Sequence, residues 1–251
     1  MAQEMPDYTF ADMHCHIIPQ VDDGSESMEM SLAMLRIAME QNIETIILTP
    51  HNKGGHHNVS SEGIDKRMDA LYDETEKEGL YFDFYPGNEI MYDSTVPDRL
   101  NQGEICTMAD SDYVLVEFKP WEEYTYIRDA FRSLLYEGYR PILAHCERYE
   151  CFLKDRNLVA DLARAGVLIQ LNSEDCVPRF SNRRIHKFCH ALLEEELISF
   201  IGTDAHKDKG RTPMMLPCWE ALTKKLDPDY VRKIMRENTL SVIRNEEISG
   251  R

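Results

Sequence analysis

The first residues whose types and spacing suggest chemistry are Asp12-Met13-His14-Cys15-His16. In an extended strand, residues two apart share a face, so His14 and His16 are placed to grip one cation together. Asp12 is spaced to orient a ligand from behind, and Asp22-Asp23-Gly24 follows as a tight carboxylate turn. Alone, a His-x-His pair is weak, being more often a chance pair or a satisfied surface feature than a metal site. The pattern recurs, however. Thr45–Thr49 runs into Pro50-His51, and Pro86-Gly87-Asn88 leads to Glu89. Val114-Leu115-Val116 ends at Glu117, Ile142-Leu143-Ala144 at His145, and Ile198–Gly202 at Thr203-Asp204-Ala205-His206. Helix capping accounts for Asp23 or Asp204 but not for five histidines. Imidazoles and carboxylates without a thiolate suit Mn, Fe or Zn. Ions so held lower the pKa of a bound water and clamp phosphoryl oxygens, which is the chemistry of phosphate-ester hydrolysis. Arg148 lies three residues after His145 and Arg211 five after His206. Both match phosphate oxygens bidentately and are read as substrate-binding residues.

Positioning these groups requires strands that end together. The expected strands are Thr9–His14, Thr45–Thr49, Tyr81–Tyr85, Tyr113–Phe118, Arg140–His145, Val167–Leu171 and Ile198–Thr203. Helices alternate with them. One is capped by Ser25 or Ser27 and runs to about Gln41, with Met28, Leu32, Leu35 and Met39 on one face. A second covers Glu62–Glu78, turns Ile64, Met68 and Leu71 inward, and stops at Gly79. Others cover about Ile127–Glu137, Asn157–Ala165, Asn182–Glu196, Pro217–Leu226 and Pro228–Asn238. Strand and helix in alternation predict parallel pairing with right-handed crossovers. No G-x-G-x-x-G follows the first strand, so a dinucleotide fold has no support, whereas metal-type residues at strand ends favour an α/β barrel. With no linker or repeat, residues 1–251 read as one domain.

The motifs D-M-H-C-H, T-P-H, G-N-E, V-E-F, A-H-C-E-R-Y and T-D-A-H, in this order, resemble the polymerase and histidinol phosphatase (PHP) superfamily. V-D-D-G, the glutamate of V-E-F, E-R-Y and the later G-R-T-P are similar to its CpsB/CapC branch. The resemblance runs from Asp12 to about Pro213. It implies a distorted seven-stranded TIM-like (β/α)7 barrel and a manganese-dependent bacterial protein-tyrosine phosphatase tied to capsule and exopolysaccharide synthesis. The implied partner is the tyrosine-rich tail of a bacterial tyrosine kinase. It also implies two to three divalent ions. One takes His14, His16, Asp204 and a bridging Glu89; a second adds Glu117 and His145; a third takes Asp23, His51 and His206. Three such ions with these four carboxylates and a bridging hydroxide leave a net charge of about +1, enough to attract a phosphate dianion. One departure stands out: where the family often has arginine after the second-strand histidine, this chain has Asn52-Lys53-Gly54-Gly55-His56-His57.

Composition narrows the rest. The net charge of −17, from 45 acidic and 28 basic residues, disfavours nucleic-acid binding. No apolar run is long enough to insert in a membrane, and the N-terminus has no secretory pattern, so a cytoplasmic protein is expected. The seven scattered cysteines form no disulfide or zinc-knuckle pattern. None has arginine six residues later, which excludes a Cys-x5-Arg phosphatase. An amidohydrolase would usually bridge its metals with lysine where Glu89 and Glu117 stand. A non-catalytic metal-binding module would lack the two arginines. A small-molecule phosphatase, such as one for histidinol phosphate, is the runner-up. His56 and His57 read as a solvated loop pair, and His186 and His190, four apart on a helix, as structural. Trp121, Tyr124 and Tyr126 form either an aromatic wall for a phenyl ring or packing against a neighbouring loop.

Overall fold

In the computed structural model, which describes residues 5–56 and 58–248, nine short strands pair in parallel throughout. They are β1 (Phe10–Cys15), β2 (Ile43–Leu48), β3 (His51–Lys53), β4 (Asp83–Pro86), β5 (Glu89–Met91), β6 (Tyr113–Glu117), β7 (Arg140–Leu143), β8 (Leu168–Asn172) and β9 (Phe200–Gly202). One sheet has the order β1-β2-β4 and the other β3-β5-β6-β7-β8-β9. Two of the nine, β3 and β5, lie beyond the seven expected: they follow the second and third expected strands, which end at Thr49 and Tyr85, after breaks at Thr49-Pro50, where proline has no N–H for a ladder, and at Gly87-Asn88. The breaks are stitched together: the Pro50 carbonyl accepts from the Glu89 N–H at 3.2 Å and from Asn88 Nδ2 at 2.8 Å. Pairing then resumes with His51 opposite Glu89.

Among the described residues the sheet does not close as one piece. The two sheets meet where β1 runs beside the segment after β9. There the Asp204 N–H donates to His14 O at 2.8 Å, the His16 N–H donates to Ala205 O at 2.9 Å, and Cys15 bridges Ala205. Strand side chains pack on two sides, as parallel sheets require. Met13, Ile47, Tyr113, Leu115, Ile142 and Phe200 form an inner cluster closed by Val242 from the C-terminal helix. On β6, Tyr113 and Leu115 precede Glu117 on the same face, so this cluster floors the region that holds Glu117. The remaining strand faces are covered by the helices.

Local signals placed those helices well. Ser27 is the N-cap of Met28–Glu40, its Oγ accepting the Met30 N–H at 3.1 Å. Gly79 ends Ser61–Glu78 in the left-handed region at φ 69°. Met39 does not face inward; it is 51% exposed, and Ser31, Met34 and Ala38 join Leu32 and Leu35 on the buried face. The last expected helix is Pro228–Arg232, a π-helical turn at Lys233–Glu237, and Asn238–Ile243. Short helices at Val96–Asn101, Glu150–Lys154 and Ser173–Cys176 carried no usable periodicity. No helix among the described residues is long and apolar enough to cross a membrane.

Candidate metal centre

Strand ends and the Asp22-Asp23-Gly24 segment bring the nine expected ligands together, with Glu89 buried at the start of β5. Its Oε2 lies 3.3 Å from His14 Nε2, 3.2 Å from His16 Nε2 and 2.9 Å from His51 Nδ1, and its Oε1 lies 2.6 Å from His145 Nε2. The Nε2 atoms of His14 and His16 face each other at 3.2 Å, with Asp204 Oδ1 3.5 Å from each. Glu117 Oε1 lies 3.0 Å from His51 Nδ1. On the outer side, Asp23 Oδ1 is 3.3 Å from His51 Nε2 and 3.6 Å from His206 Nε2.

The donor set fits divalent cations. Three groups offer ligand atoms within 4.8 Å of one another: His14, His16, Glu89 and Asp204; His16, Asp23, His51 and His206; and His51, Glu89 and Glu117. In the last group His51 Nδ1 lies 2.9 Å from Glu89 Oε2 and 3.0 Å from Glu117 Oε1, and all three atoms are buried without a contact of hydrogen-bond geometry. Buried polar atoms left unpaired are costly, and three converging on one point mark a place for a charged ligand. The first group is the expected set, and the second contains the expected Asp23, His51 and His206 together with His16. His51 also presents Nδ1 to Glu89 and Glu117 while its Nε2 faces Asp23, and so straddles two groups; His145 contacts the expected bridging residue, Glu89, with Glu117 Oε2 at 3.9 Å.

Neighbouring side chains fix these rings. Asp22 Oδ2 lies 2.7 Å from His16 Nδ1 and accepts the His51 N–H at 2.9 Å, while its Oδ1 accepts the Gly24 N–H at 2.9 Å. Gln170 Oε1, on β8, lies 3.3 Å from His14 Nδ1 and accepts the His145 N–H at 2.7 Å. Asn172 Nδ2 donates to Asp204 Oδ2 at 2.9 Å. Of these holders, the turn containing Asp22 and Asp23 was noticed, but Gln170 and Asn172 were missed. Their signal was two polar residues, two apart, in the apolar run Leu168-Ile169-Gln170-Leu171-Asn172. Asp12 grips β9 instead of a ligand ring: its Oδ1 accepts the Thr203 N–H at 2.9 Å, and its Oδ2 the Thr203 hydroxyl at 2.5 Å. Gly202 is required by this approach, because a Cβ there would sit 2.8 Å from His14 Cβ. His145 and Asp204 both hold left-handed backbones, with φ of 32° and 50°, the kind of strain that functional positions tolerate.

Charges of opposite sign dominate the electrostatics. Burial would lower the pKa of His16, but Asp22 and Glu89 raise it to about 9. Burial opposes His51 likewise, and Asp23, Glu117 and Glu89 raise it to about 12. Glu89 is held well below the carboxylate range: burial pushes it up, but His14, His145 and His16 outweigh that. Asp204 is lowered too, His14 and Arg148 outweighing its burial. His206 falls to about 3 through burial and the His16 charge, and is neutral.

The two arginines converge on the same carboxylate, each Nη2 lying 2.7 Å from Asp204 Oδ2. In the Asn52-Lys53 segment, Asn52 is buried against Arg99, and the Lys53 backbone N–H and carbonyl are both bonded by the Asn58 side chain. His56 is exposed, and His57 lies outside the described residues. Of the aromatic trio, Tyr124 packs edge-on against Phe152, which is the packing alternative. Tyr126 lies against Tyr92 and Phe118, the neighbour of Glu117, and Trp121 is 67% exposed. His190 pairs with Glu194 on its own helix. All seven cysteines are free, six of them buried, and burial raises the Cys15 thiol well above its usual value.

Comparison with known proteins agrees with this geometry. The family model for capsular polysaccharide synthesis, CpsB/CapC, matches residues 10–244. The tyrosine-protein phosphatase YwqE of Bacillus subtilis is 30% identical over 237 residues, covering 94% of this chain and 92% of that protein. Crystal structures of YwqE from Bacillus subtilis and CpsB from Streptococcus pneumoniae, described as metal-dependent tyrosine phosphatases, include one that superposes with a TM-score of 0.90. Its identity is 29%, over 96% of this chain and 97% of that one. The phosphotriesterase homology protein of Escherichia coli shares the fold alone, with a TM-score of 0.59 and 12% identity over 94% of this chain and 98% of its own.

Proposed function

The chain belongs to the CpsB/CapC family, and from that premise we propose that it is a metal-dependent protein-tyrosine phosphatase. The observation that carries this reading is the joint placement of metal-type ligands around Glu89 with two guanidiniums on Asp204. In this reading the nine strands amount to one distorted seven-stranded barrel of the PHP type, β2 with β3 and β4 with β5 each being one broken strand. Residues 1–251 form a single domain. The ions are two to three, preferably Mn, held by His14, His16, Asp23, His51, Glu89, Glu117, His145, Asp204 and His206. Once bound, they supply charge neutralisation at the phosphoryl oxygens and activation of water.

The protein's own groups do the rest. Arg148 and Arg211 exchange part of their hold on Asp204 Oδ2 for the phosphoryl oxygens, making charge-assisted bonds that grow as charge accumulates there. Asp22 and Gln170 keep the imidazoles of His16 and His14 aimed, so that little reorganisation is needed during the reaction. No cysteine takes part. A phenolate leaves far more readily than an alkoxide, so the tyrosine oxygen needs no dedicated acid.

The rim is open: the side chains of Asp23, Arg211 and Arg148 are 69%, 40% and 35% exposed. Such a mouth admits a residue carried on a flexible protein segment, as on the tail of a bacterial tyrosine kinase, and the setting is cytoplasmic capsule or exopolysaccharide regulation. A small-molecule phosphatase acting on a compound such as histidinol phosphate would use the same ions but gains nothing from an open rim. The test is a panel of phosphotyrosine and phosphoserine peptides with histidinol phosphate, assayed after reconstitution with Mn. Phosphotyrosine peptides are expected to lead in kcat/KM. Preference for histidinol phosphate over every peptide would reject the tyrosine-phosphatase reading and leave the metal site standing.

A further inference from the structure

One stretch breaks the acidic pattern of this chain. Between Cys176 and Leu193 there is no Asp or Glu, while Arg179, Arg183, Arg184 and Lys187 supply four cations. All four are exposed. Phe180 stands among them at 86% exposure, with the Arg183 guanidinium 4.7 Å over its ring. That stacking keeps a large aromatic ring on the surface as a platform. Arg179, Phe180, Arg183 and Lys187 border a cleft of about 450 Å³.

The position of this ridge links it to the proposed active site. It follows β8, whose Asn172 donates to Asp204. Arg179 reaches Glu174 Oε2 and, at 3.5 Å, the sulfur of Met214, three residues beyond Arg211. Asp175 lies within the electrostatic reach of both Arg148 and Arg179. The ridge therefore begins where the two phosphate-facing arginines end.

We propose that the ridge of Arg179, Phe180, Arg183 and Lys187 is the docking surface for acidic residues flanking the phosphotyrosine of a protein substrate, an inference that rests on the phosphatase reading above. Charge complementarity carries it. With a net charge of −17, the molecule repels an acidic peptide over most of its surface, and this ridge offers exposed positive charge beside the segment that follows Arg211. Phe180 adds an apolar face on which the bound segment packs.

The experiment uses the full chain reconstituted with Mn and three substrates: phosphotyrosine peptides of equal length with acidic or neutral flanks, and p-nitrophenyl phosphate. Wild type should prefer the acidic peptide by about tenfold in kcat/KM at low salt, with the preference shrinking as salt rises. The double variant Arg183→Glu, Lys187→Glu should erase that preference through KM while leaving p-nitrophenyl phosphate unchanged. The milder pair Arg183→Gln, Lys187→Gln should reduce it partially, which guards against misfolding. Equal rates on both peptides in wild type, or a preference that survives the double variant, would overturn the proposal. So would vesicles of phosphatidylserine whose binding the double variant abolishes, if no peptide preference accompanies it. Anisotropy of a labelled acidic phosphopeptide reads docking without turnover, so inactivity toward p-nitrophenyl phosphate would count against the phosphatase reading and not against the ridge.

Discussion

Arg148 and Arg211 reach one and the same atom, Oδ2 of Asp204, each from 2.7 Å. The other oxygen of that carboxylate faces His14 and His16 at 3.5 Å. Asp204 thus divides the site: its inner oxygen faces the His14–His16 pair and its outer oxygen gathers the two guanidiniums. Arg148→Ala and Arg211→Ala should each cost about 2 kcal/mol of transition-state binding, through the loss of charge-assisted bonds. Steady-state kinetics on a phosphotyrosine peptide, paired with elemental analysis, checks this: kcat/KM should fall while metal content holds.

Asp22 is the carboxylate behind His16, and it also pins the His51 backbone. Loss of such a partner typically costs about 10–100-fold in metal affinity. Asp22→Asn should therefore bind Mn about that much more weakly and regain much of its activity at high Mn, which a metal titration of activity would show. A variant as active as wild type at limiting Mn would remove Asp22 from this role.

The metal-free protein should have a characteristic pH dependence. His16 is raised to about 9, so its favourable pairing with Asp22 and Glu89 is fully present below the unfolded histidine value of about 6.5. That contribution is lost as pH climbs through about 9. Melting temperatures of metal-free protein should accordingly fall from pH 7 to pH 10. Metal binding requires the imidazoles deprotonated, so at pH 7 it should release protons from His16 and His51 and tighten as pH rises. Calorimetry in buffers of differing ionisation enthalpy measures that release.

The cysteines should be dispensable for chemistry. Cys15 sits between two candidate ligands, yet its buried thiol is raised well above its usual value and is protonated at neutral pH. A set of single cysteine-to-serine variants should retain turnover wherever metal content is retained. One variant that keeps its metal and loses catalysis would indicate a thiolate nucleophile.

Much of this site was legible because its ligands sit at strand ends, where an apolar run stops at an imidazole or a carboxylate. His51 and Glu89 were readable from Pro50 and Gly87-Asn88, yet those same residues break the strands, so the sequence pattern showed two strands where the structure has four segments. The ligand division was less legible because each imidazole has two nitrogens. His51 uses them in opposite directions, and residue spacing carries no information about that. Gln170 and Asn172 escaped notice because amides in a buried strand resemble interruptions until the neighbouring β7 and β9 bring His145 and Asp204 beside them. Met39 was misplaced because it falls past the edge of a buried face that Leu32 and Leu35 share with Ser31, Met34 and Ala38.

In the proposed function, phosphate hydrolysis depends on ions held by the cluster around Glu89. The most direct measurement is hydrolysis of a phosphotyrosine peptide by wild-type and Glu89→Ala protein, each stripped with chelator and then titrated with Mn. Wild-type activity should vanish on stripping and return with Mn, and Glu89→Ala should stay inactive with reduced metal content. Full activity of stripped wild type, or of Glu89→Ala in chelator, would place hydrolysis outside this cluster.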